Sequence, residues 1–374
     1  MNKKIFYVLA IAGIVLLGGC KQVCTVTGTI TDELASTPGA AIVFTDMLTE
    51  QADTVQIVDG AFEYSCDANI DGCITVALVT DARIKNNNNT MFIPEAGTIT
   101  INLNEPAIVE GGKHNKALFE FRDLLKQIQE EAVSQFEEAR ALPQEEAAVK
   151  MQEVRENYQT KVRELSDKTI DANPNGYLGF YALNNFVYDL SYEELKGYVE
   201  KMGDFTKNHP FIARQIAAGE AREATAEGKM FADFEGKTPA GEAIKLSDYV
   251  GQGKYVLVDF WASWCGPCKN EIKNTLLGVY DTYTDKGLVV LGVAVWERNG
   301  DNSASVATME ELGMKWDQIF MGDDKTPTDL YGISGIPQII LFGPDGTIVK
   351  RDLRGEELIK AVEEALTPVE ETTE

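Results

Sequence analysis

Between residues 24 and 104, apolar and polar positions alternate in short runs: "CTVTGTI", "AAIVFTD", "DTVQIVDGAFEYSC", "CITVALV" and "TITINL". Runs of period two, rich in Val, Ile, Thr and Tyr and broken by "DG", "PG" and "EAG", predict strands joined by tight turns. The expected outcome is a small antiparallel sandwich or barrel, with "KNNNN" (Lys85 to Asn89) as a polar loop. From about Lys113 the period lengthens. Leu118, Phe121, Leu125, Ile128, Ala132, Phe136 and Ala139 recur every three or four residues, Pro143 interrupts, and Val154, Tyr158, Val162 and Leu165 resume the spacing. This predicts two long amphipathic helices joined at "ALPQ", their stripes reading as the packing faces of a hairpin in preference to a partner-binding surface. Ser191 and Glu194 have capping-box spacing at the start of a further helix.

After about Gly228 the pattern changes again. "YVLVDFWAS" and "LVVLGVAVW" are continuous apolar runs suited to strands buried on both faces. A helix is expected over 267–286, another at "SVATMEELG" with Ser303 or Ser305 as cap, a hairpin turning at "PDG", and a closing helix "GEELIKAVEEAL". Strands alternating with helices indicate a mixed α/β sheet. The fold class is therefore multidomain: an N-terminal all-β sandwich or barrel (20–108), a middle α-helical region (109–226) and a C-terminal α/β domain (227–368), with 1–19 as a leader and 369–374 as a disordered tail.

Composition narrows the partners. Of 374 residues, 34 are Lys or Arg and 59 Asp or Glu, a net charge of -25 that disfavours nucleic acid and anionic lipid surfaces. At the N-terminus "MNKK" precedes an apolar run, Ile5 to Leu17, of signal-peptide length and too short to span a bilayer. Leu17-Gly18-Gly19-Cys20 resembles a bacterial lipobox, which implies cleavage before Cys20 and a lipid on its sulfur. An ordinary signal peptide or a single membrane anchor is the alternative. Export to an oxidising compartment makes the remaining cysteines, Cys24, Cys66, Cys73, Cys265 and Cys268, candidates for pairing. Their odd number leaves at least one free thiol unless chains pair. Cys66 and Cys73 flank "DANIDG" and are either a loop disulfide or two free thiols, since spacing does not determine Cα geometry.

Cys265 and Cys268 stand apart, in "FWASWCGPCKNE". A zinc site needs three or four ligands, and the C-terminal region has no other Cys and no His, both histidines being His114 and His209. Covalent haem needs His after the second Cys, where Lys269 stands. A disulfide closing so short a loop restricts the unfolded chain little. Redox exchange fits, because a Cys at the first turn of a helix faces unpaired N–H groups and the positive end of the helix dipole. Cys265 is the expected attacker and Cys268, one turn on, the resolver; Pro267 loses nothing at that position and Gly266 leaves room for a partner chain.

"VDFWASWCGPCK" resembles the active-site strand and loop of the thioredoxin fold, and "YGISGIPQIILF" the segment in which thioredoxins carry a cis-proline. Some 70 residues separate Cys268 from Pro337, which requires an extra strand–helix unit and is similar to the membrane-tethered TlpA/ResA type and its peroxiredoxin relatives. Less specifically, "CTVTGTI" and "VDGAFEYS" resemble the β-domain of Bacteroidetes-type lipoproteins. The resemblance implies a thioredoxin fold over about 228–368, with Pro337 as a cis-proline whose preceding Ile336 backbone pairs with an extended substrate. It also makes Asp259 a buried carboxylate that exchanges a proton with Cys268, and Trp261 and Trp264 shields of the site. Two departures stand out: Lys273 replaces a helix-bending proline, and Trp296 and Glu297 occupy a position at which relatives carry a small or acidic residue.

The implied function is that of an envelope thiol-disulfide oxidoreductase, lipid-anchored, facing the periplasm and leaning to the outer membrane because Lys21 follows Cys20. "GP" between the cysteines, without His, points to the reducing direction. Its partners are a disulfide-bearing client and a membrane electron donor, with no organic cofactor or metal. A peroxiredoxin-like peroxidase, with Ser263 as a poor substitute for the family's hydroxyl, and a client-binding lipoprotein using the domain as scaffold are the competing readings.

Overall fold

The computed structural model describes residues 22–81 and 88–367. The leader, Cys20, most of the Lys85–Asn89 loop and the 369–374 tail lie outside the described residues. The chain divides into two compact units, Met1–Leu190 with Gly197–His209, and Ser191–Lys196 with Pro210–Glu374.

The first unit opens with β1 (Val23–Thr29), a short α1 (Asp32–Ala35), β2 (Ala41–Asp46), β3 (Ala52–Val55), β4 (Ala61–Asp67), β5 (Ile74–Val79), β6 (Asn89–Phe92), β7 (Gly97–Asn102) and β8 (Ile108–Glu110). They form two four-stranded sheets, ordered β4-β1-β7-β8 and β3-β2-β5-β6. Val26 and Ile99 of one sheet share a buried core with Ile42, Phe44, Val76 and Phe92 of the other, so the arrangement is a sandwich. Gly28 faces Phe62 across the β1–β4 ladder, and a Cβ there would meet the phenyl ring at 1.9 Å. The pairing is not wholly antiparallel as expected: β1 and β7 run parallel, Cys24 lying opposite Gly97. Parallel neighbours need a long crossover, and the excursion of the chain through the second sheet supplies it. Cys66 and Cys73 remain free thiols. They are close in sequence, but the chain leaves one sheet after β4 and enters the other at β5, and Cys73 is buried with Ile93, Leu118, Tyr177 and Leu178.

Helices α2 (Lys113–Arg140) and α3 (Gln144–Ala172) pack on each other; the predicted positions Leu118, Phe121 and Leu125 of the first and Val154 and Val162 of the second are buried, Leu118 against the cluster around Cys73. Four shorter helices follow: α4 (Tyr177–Asn184), α5 (Tyr192–Lys201), α6 (Asp204–Lys207) and α7 (Pro210–Ala224). The capping box forms at α5, with Ser191 N–H donating to Glu194 Oε2 at 2.9 Å and Glu194 N–H to Ser191 Oγ at 3.3 Å. The backbone N–H of His114 donates to Glu95 at the start of α2, and the His209 ring stacks on Phe180 at 4.0 Å.

The second unit holds β9 (Glu235–Lys237), β10 (Ala243–Lys245), β11 (Tyr255–Trp261), α8 (Gly266–Glu271), α9 (Leu277–Tyr283), β12 (Leu288–Ala294), α10 (Ser303–Leu312), β13 (Asp317–Phe320), α11 (Thr326–Leu330), β14 (Gln338–Phe342), β15 (Ile348–Lys350) and α12 (Gly355–Leu366). Its seven-stranded sheet has the order β10-β9-β13-β12-β11-β14-β15, with β11 parallel to β12 and antiparallel to β14. Apolar clusters cover both faces, one through Trp261, Ile272, Leu276 and Leu358, the other through Val258, Phe260, Tyr331 and Phe342. That double burial is why β11 reads as an unbroken apolar run. At α10 the cap is Asn302, not Ser303 or Ser305; Asp301 Oδ1 accepts from Ser303 N–H at 2.9 Å and Ser305 is buried.

Candidate redox site

Strand β11 runs through the middle of the sheet and delivers Cys265 to the start of α8. Cys265 is the N-cap residue, its Sγ accepting from the backbone N–H of Cys268 at 3.1 Å, with Pro267 in the first turn. The helix dipole and this N–H both favour negative charge on Cys265 once the bond is opened. Cys265 and Cys268 form a disulfide with Cα atoms 5.3 Å apart. The two sulfurs are unequal: Cys265 is 4% exposed and Cys268 0%. Space above Gly266 is open, with nothing within 4 Å of where a Cβ would stand.

The chain before β14 completes the front of the site. The Ile336–Pro337 peptide is cis, and the Ile336 carbonyl oxygen lies 3.8 Å from Cys265 Sγ. Beneath, Asp259 on β11 is 1% exposed and neither of its carboxyl oxygens has a hydrogen-bond partner. Burial pushes its carboxyl up to about 8, the Arg354 charge opposing and the Glu271 charge adding to the effect. A buried acid titrating near neutrality is a competent proton exchanger.

Both expected tryptophans are placed here, in different roles. Trp261 is core, its Nε1 donating to Gln318 Oε1 at 3.0 Å; Gly292 makes room for that amide, since a Cβ there would meet Gln318 Oε1 at 2.0 Å. Trp264 is 45% exposed, its Nε1 donating to the Trp296 carbonyl at 2.9 Å. Trp296 sits at φ 56°, a left-handed backbone uncommon for a bulky residue, and its own Nε1 donates to Thr328 Oγ1 at 3.2 Å. A groove of about 460 Å³ opens beside it, lined by Trp296, Glu297, Lys325, Thr328, Asp329 and Ile333 among others.

Sequence reasoning noted Glu297 only as a departure from relatives and gave it no role. It is buried and takes both hydrogen bonds that Ser263 offers, N–H to Oε1 at 2.6 Å and Oγ–H to Oε2 at 2.8 Å. A charged residue directly beyond the C-terminal end of a fully apolar strand was the available signal, since such strand ends deliver residues to sites. The absent proline at Lys273 also has a structural counterpart. The helix begun by α8 takes a single π turn over Ile272–Leu276 before α9 continues it, a widening that can bend a helix without proline.

Among the described residues no group of His, Cys, Asp and Glu could hold a metal ion. Residues 228–351 match the AhpC/TSA family, and residues 24–118 match a domain of unknown function, DUF4369. The C-terminal domain is of the AhpC/TSA, thioredoxin-like type.

This thioredoxin-like domain is 29% identical over 140 residues to the thiol-disulfide oxidoreductase ResA of Bacillus subtilis, which spans 37% of the chain and 73% of that protein. The thioredoxin-like protein YneN of the same organism is 42% identical over 64 residues, 17% of the chain and 36% of that protein. Among solved structures, the thioredoxin domain of a thiol-disulfide oxidoreductase from Bacteroides vulgatus is similar at 34% identity, covering 38% of the chain and 99% of that domain with a TM-score of 0.35.

Proposed function

We propose that this chain is a thiol-disulfide oxidoreductase of the cell envelope that reduces disulfides of client proteins through Cys265 and Cys268. The observation that carries the reading is the Cys265–Cys268 disulfide at a helix start, the Cys265 sulfur slightly exposed and beside the Ile336 carbonyl, the Cys268 sulfur fully buried. In the reduced enzyme the Cys265 thiolate attacks a client disulfide, forming a mixed disulfide and expelling one client thiolate. Cys268 then attacks Cys265 Sγ, which restores the disulfide and releases the second client thiolate. Asp259 takes the Cys268 proton and passes it to the second departing thiolate, while the first takes up from solvent the proton that Cys265 released on ionising, so the client gains two electrons and two protons. An extended client segment pairs with the Ile336 backbone, a reading supported by its carbonyl beside Cys265 and by the open space over Gly266. A membrane dithiol donor returns the electrons.

The Gly-Pro pair between the cysteines and the lack of a loop histidine support the reducing direction. The lipobox-like Leu17-Gly18-Gly19-Cys20 supports a lipid anchor on Cys20 and an envelope location, the outer membrane favoured by Lys21. No helix among the described residues is long and apolar enough to cross a membrane. The peroxidase alternative is weakened because the Ser263 hydroxyl is committed to Glu297. Reduction of insulin by the dithiol enzyme, together with the reduction potential of the pair, tests the proposal. A potential near that of strong oxidants, about -120 mV, sinks the reductase direction, and no turnover at all favours a scaffold. Cys268→Ala should stall the mixed disulfide and hold the client covalently.

A further inference from the structure

Cys24 and Cys66 take no part in the reaction above, yet they are direct cross-strand partners in the β1–β4 ladder. The Ala68 N–H donates to the Gln22 carbonyl at 2.8 Å. Bonded and non-bonded pairs alternate along an antiparallel ladder, so 24/66 falls in the same class as 22/68. Such pairs hold their Cα atoms about 5.5 Å apart, within the roughly 4.4–6.8 Å that a disulfide spans. Both side chains point to the inner face of the sandwich, Cys24 fully buried and Cys66 half-buried against the same core. The two thiols lie close enough to shift each other's acidity in opposite directions. Because β4 is the outer strand of its sheet, an incoming molecule reaches Cys66 and not Cys24.

We propose that Cys24 and Cys66 form a second, reversible disulfide by exchange with an uncharged or cationic disulfide, independently of Cys265 and Cys268. The neighbouring Cys24 thiol lowers the Cys66 thiol from its ordinary value, while Cys66 and burial raise that of Cys24. Cys66 is therefore the attacking sulfur. Its thiolate displaces one thiolate from the oxidant and forms a mixed disulfide; Cys24 then attacks Cys66 Sγ and expels the second. Two protein thiols are oxidised, the oxidant disulfide is reduced to two thiols, and the two cysteine protons go to the leaving groups. Asp46, Asp53 and Asp67 place negative charge around Cys66, which disfavours anionic oxidants.

The test uses the full chain carrying Cys265→Ser and Cys268→Ser, so its failure leaves the proposed function untouched. The chain is exposed to cystamine or to oxidised glutathione, then unfolded, alkylated and mapped by mass spectrometry. Expected are a 24–66 cross-link, parallel loss of alkylation at both cysteines, and oxidation several-fold faster with cystamine. Adding Cys24→Ser should leave Cys66 arrested as a single adduct, and adding Cys73→Ala should leave the cross-link intact. Persistent thiols in cystamine, separate adducts on Cys24 and Cys66 without a cross-link, or a 66–73 link would overturn the proposal. Faster oxidation by glutathione disulfide would overturn the charge selectivity.

Discussion

Glu297 grips Ser263 at two points, receiving its backbone N–H at 2.6 Å and its hydroxyl at 2.8 Å, two residues before Cys265. The loop that carries Cys265 is thereby tied to the strand beside it, since Glu297 follows β12 and its own N–H donates to the Gly322 carbonyl at 3.0 Å.

Cutting that tie should cost both order and rate. Glu297→Ala leaves two donors without their charged acceptor, a loss of about 2 kcal/mol for hydrogen bonds of this kind. Urea denaturation of the oxidised protein should register it, with insulin-reduction kcat/KM falling about fivefold where half of the loss appears at the transition state. Unchanged stability and rate would show that the loop holds itself.

Asp259 should make stability fall as pH rises. Folded, its carboxyl is pushed up to about 8 by burial, against 3.8 for the free side chain. Between those values the folded state binds more protons than the unfolded one, so the free energy of unfolding decreases with pH through this window and levels off above it. Asp259→Asn removes the dependence. At pH 9 the oxidised variant should be more stable than the parent by a few kcal/mol, and below pH 4 the two should converge. Equal denaturation midpoints at pH 5 and pH 9 for the parent would refute a buried, titrating carboxyl. The same variant should slow client release, read as accumulation of the mixed disulfide.

Cys73 should be inert while the fold persists. It is fully buried, and burial pushes its thiol up to about 12, the neighbouring Tyr177 and Arg122 opposing only in part. Iodoacetamide at pH 8 should leave it unmodified in the native protein and label it within minutes in denaturant. Native labelling at the rate of an exposed thiol would mean that this part of the core opens readily.

Trp264, with its ring nitrogen committed to the Trp296 carbonyl and nearly half its surface in solvent, should report client capture. Trp264→Ala is expected to raise KM for a protein substrate several-fold with a smaller effect on kcat, the pattern of lost uniform binding. An equal fall in kcat and kcat/KM would instead place the indole in the transition state.

What could be read from the chain alone was what is local. β11 announced itself because both its faces are covered, the 344–346 turn because Pro-Asp-Gly admits little else, and α5 because Ser191 and Glu194 bond reciprocally three residues apart. Cys265, Cys268, Asp259 and Pro337 were picked out from one strand–turn–helix run and one later loop, and the structure brings the backbone around Pro337 to the Cys265 sulfur. What escaped depends on register between distant segments. Cys66 is seven residues from Cys73 and forty-two from Cys24, yet it faces Cys24, because strand pairing and not proximity along the chain decides neighbours. The parallel seating of β7 on β1 and the reach of Glu297 back to Ser263 are of the same kind. Neither has a signature within the length of a single element.

Cys268 is sealed from solvent, so the disulfide has a single open port, Cys265. Electrons must enter and leave through the same atom, and a client and a reductant cannot be engaged on one molecule at one time. Turnover is expected to alternate strictly between the two, giving parallel double-reciprocal lines as either is varied, with each substrate in excess inhibiting by occupying the form of the enzyme meant for the other.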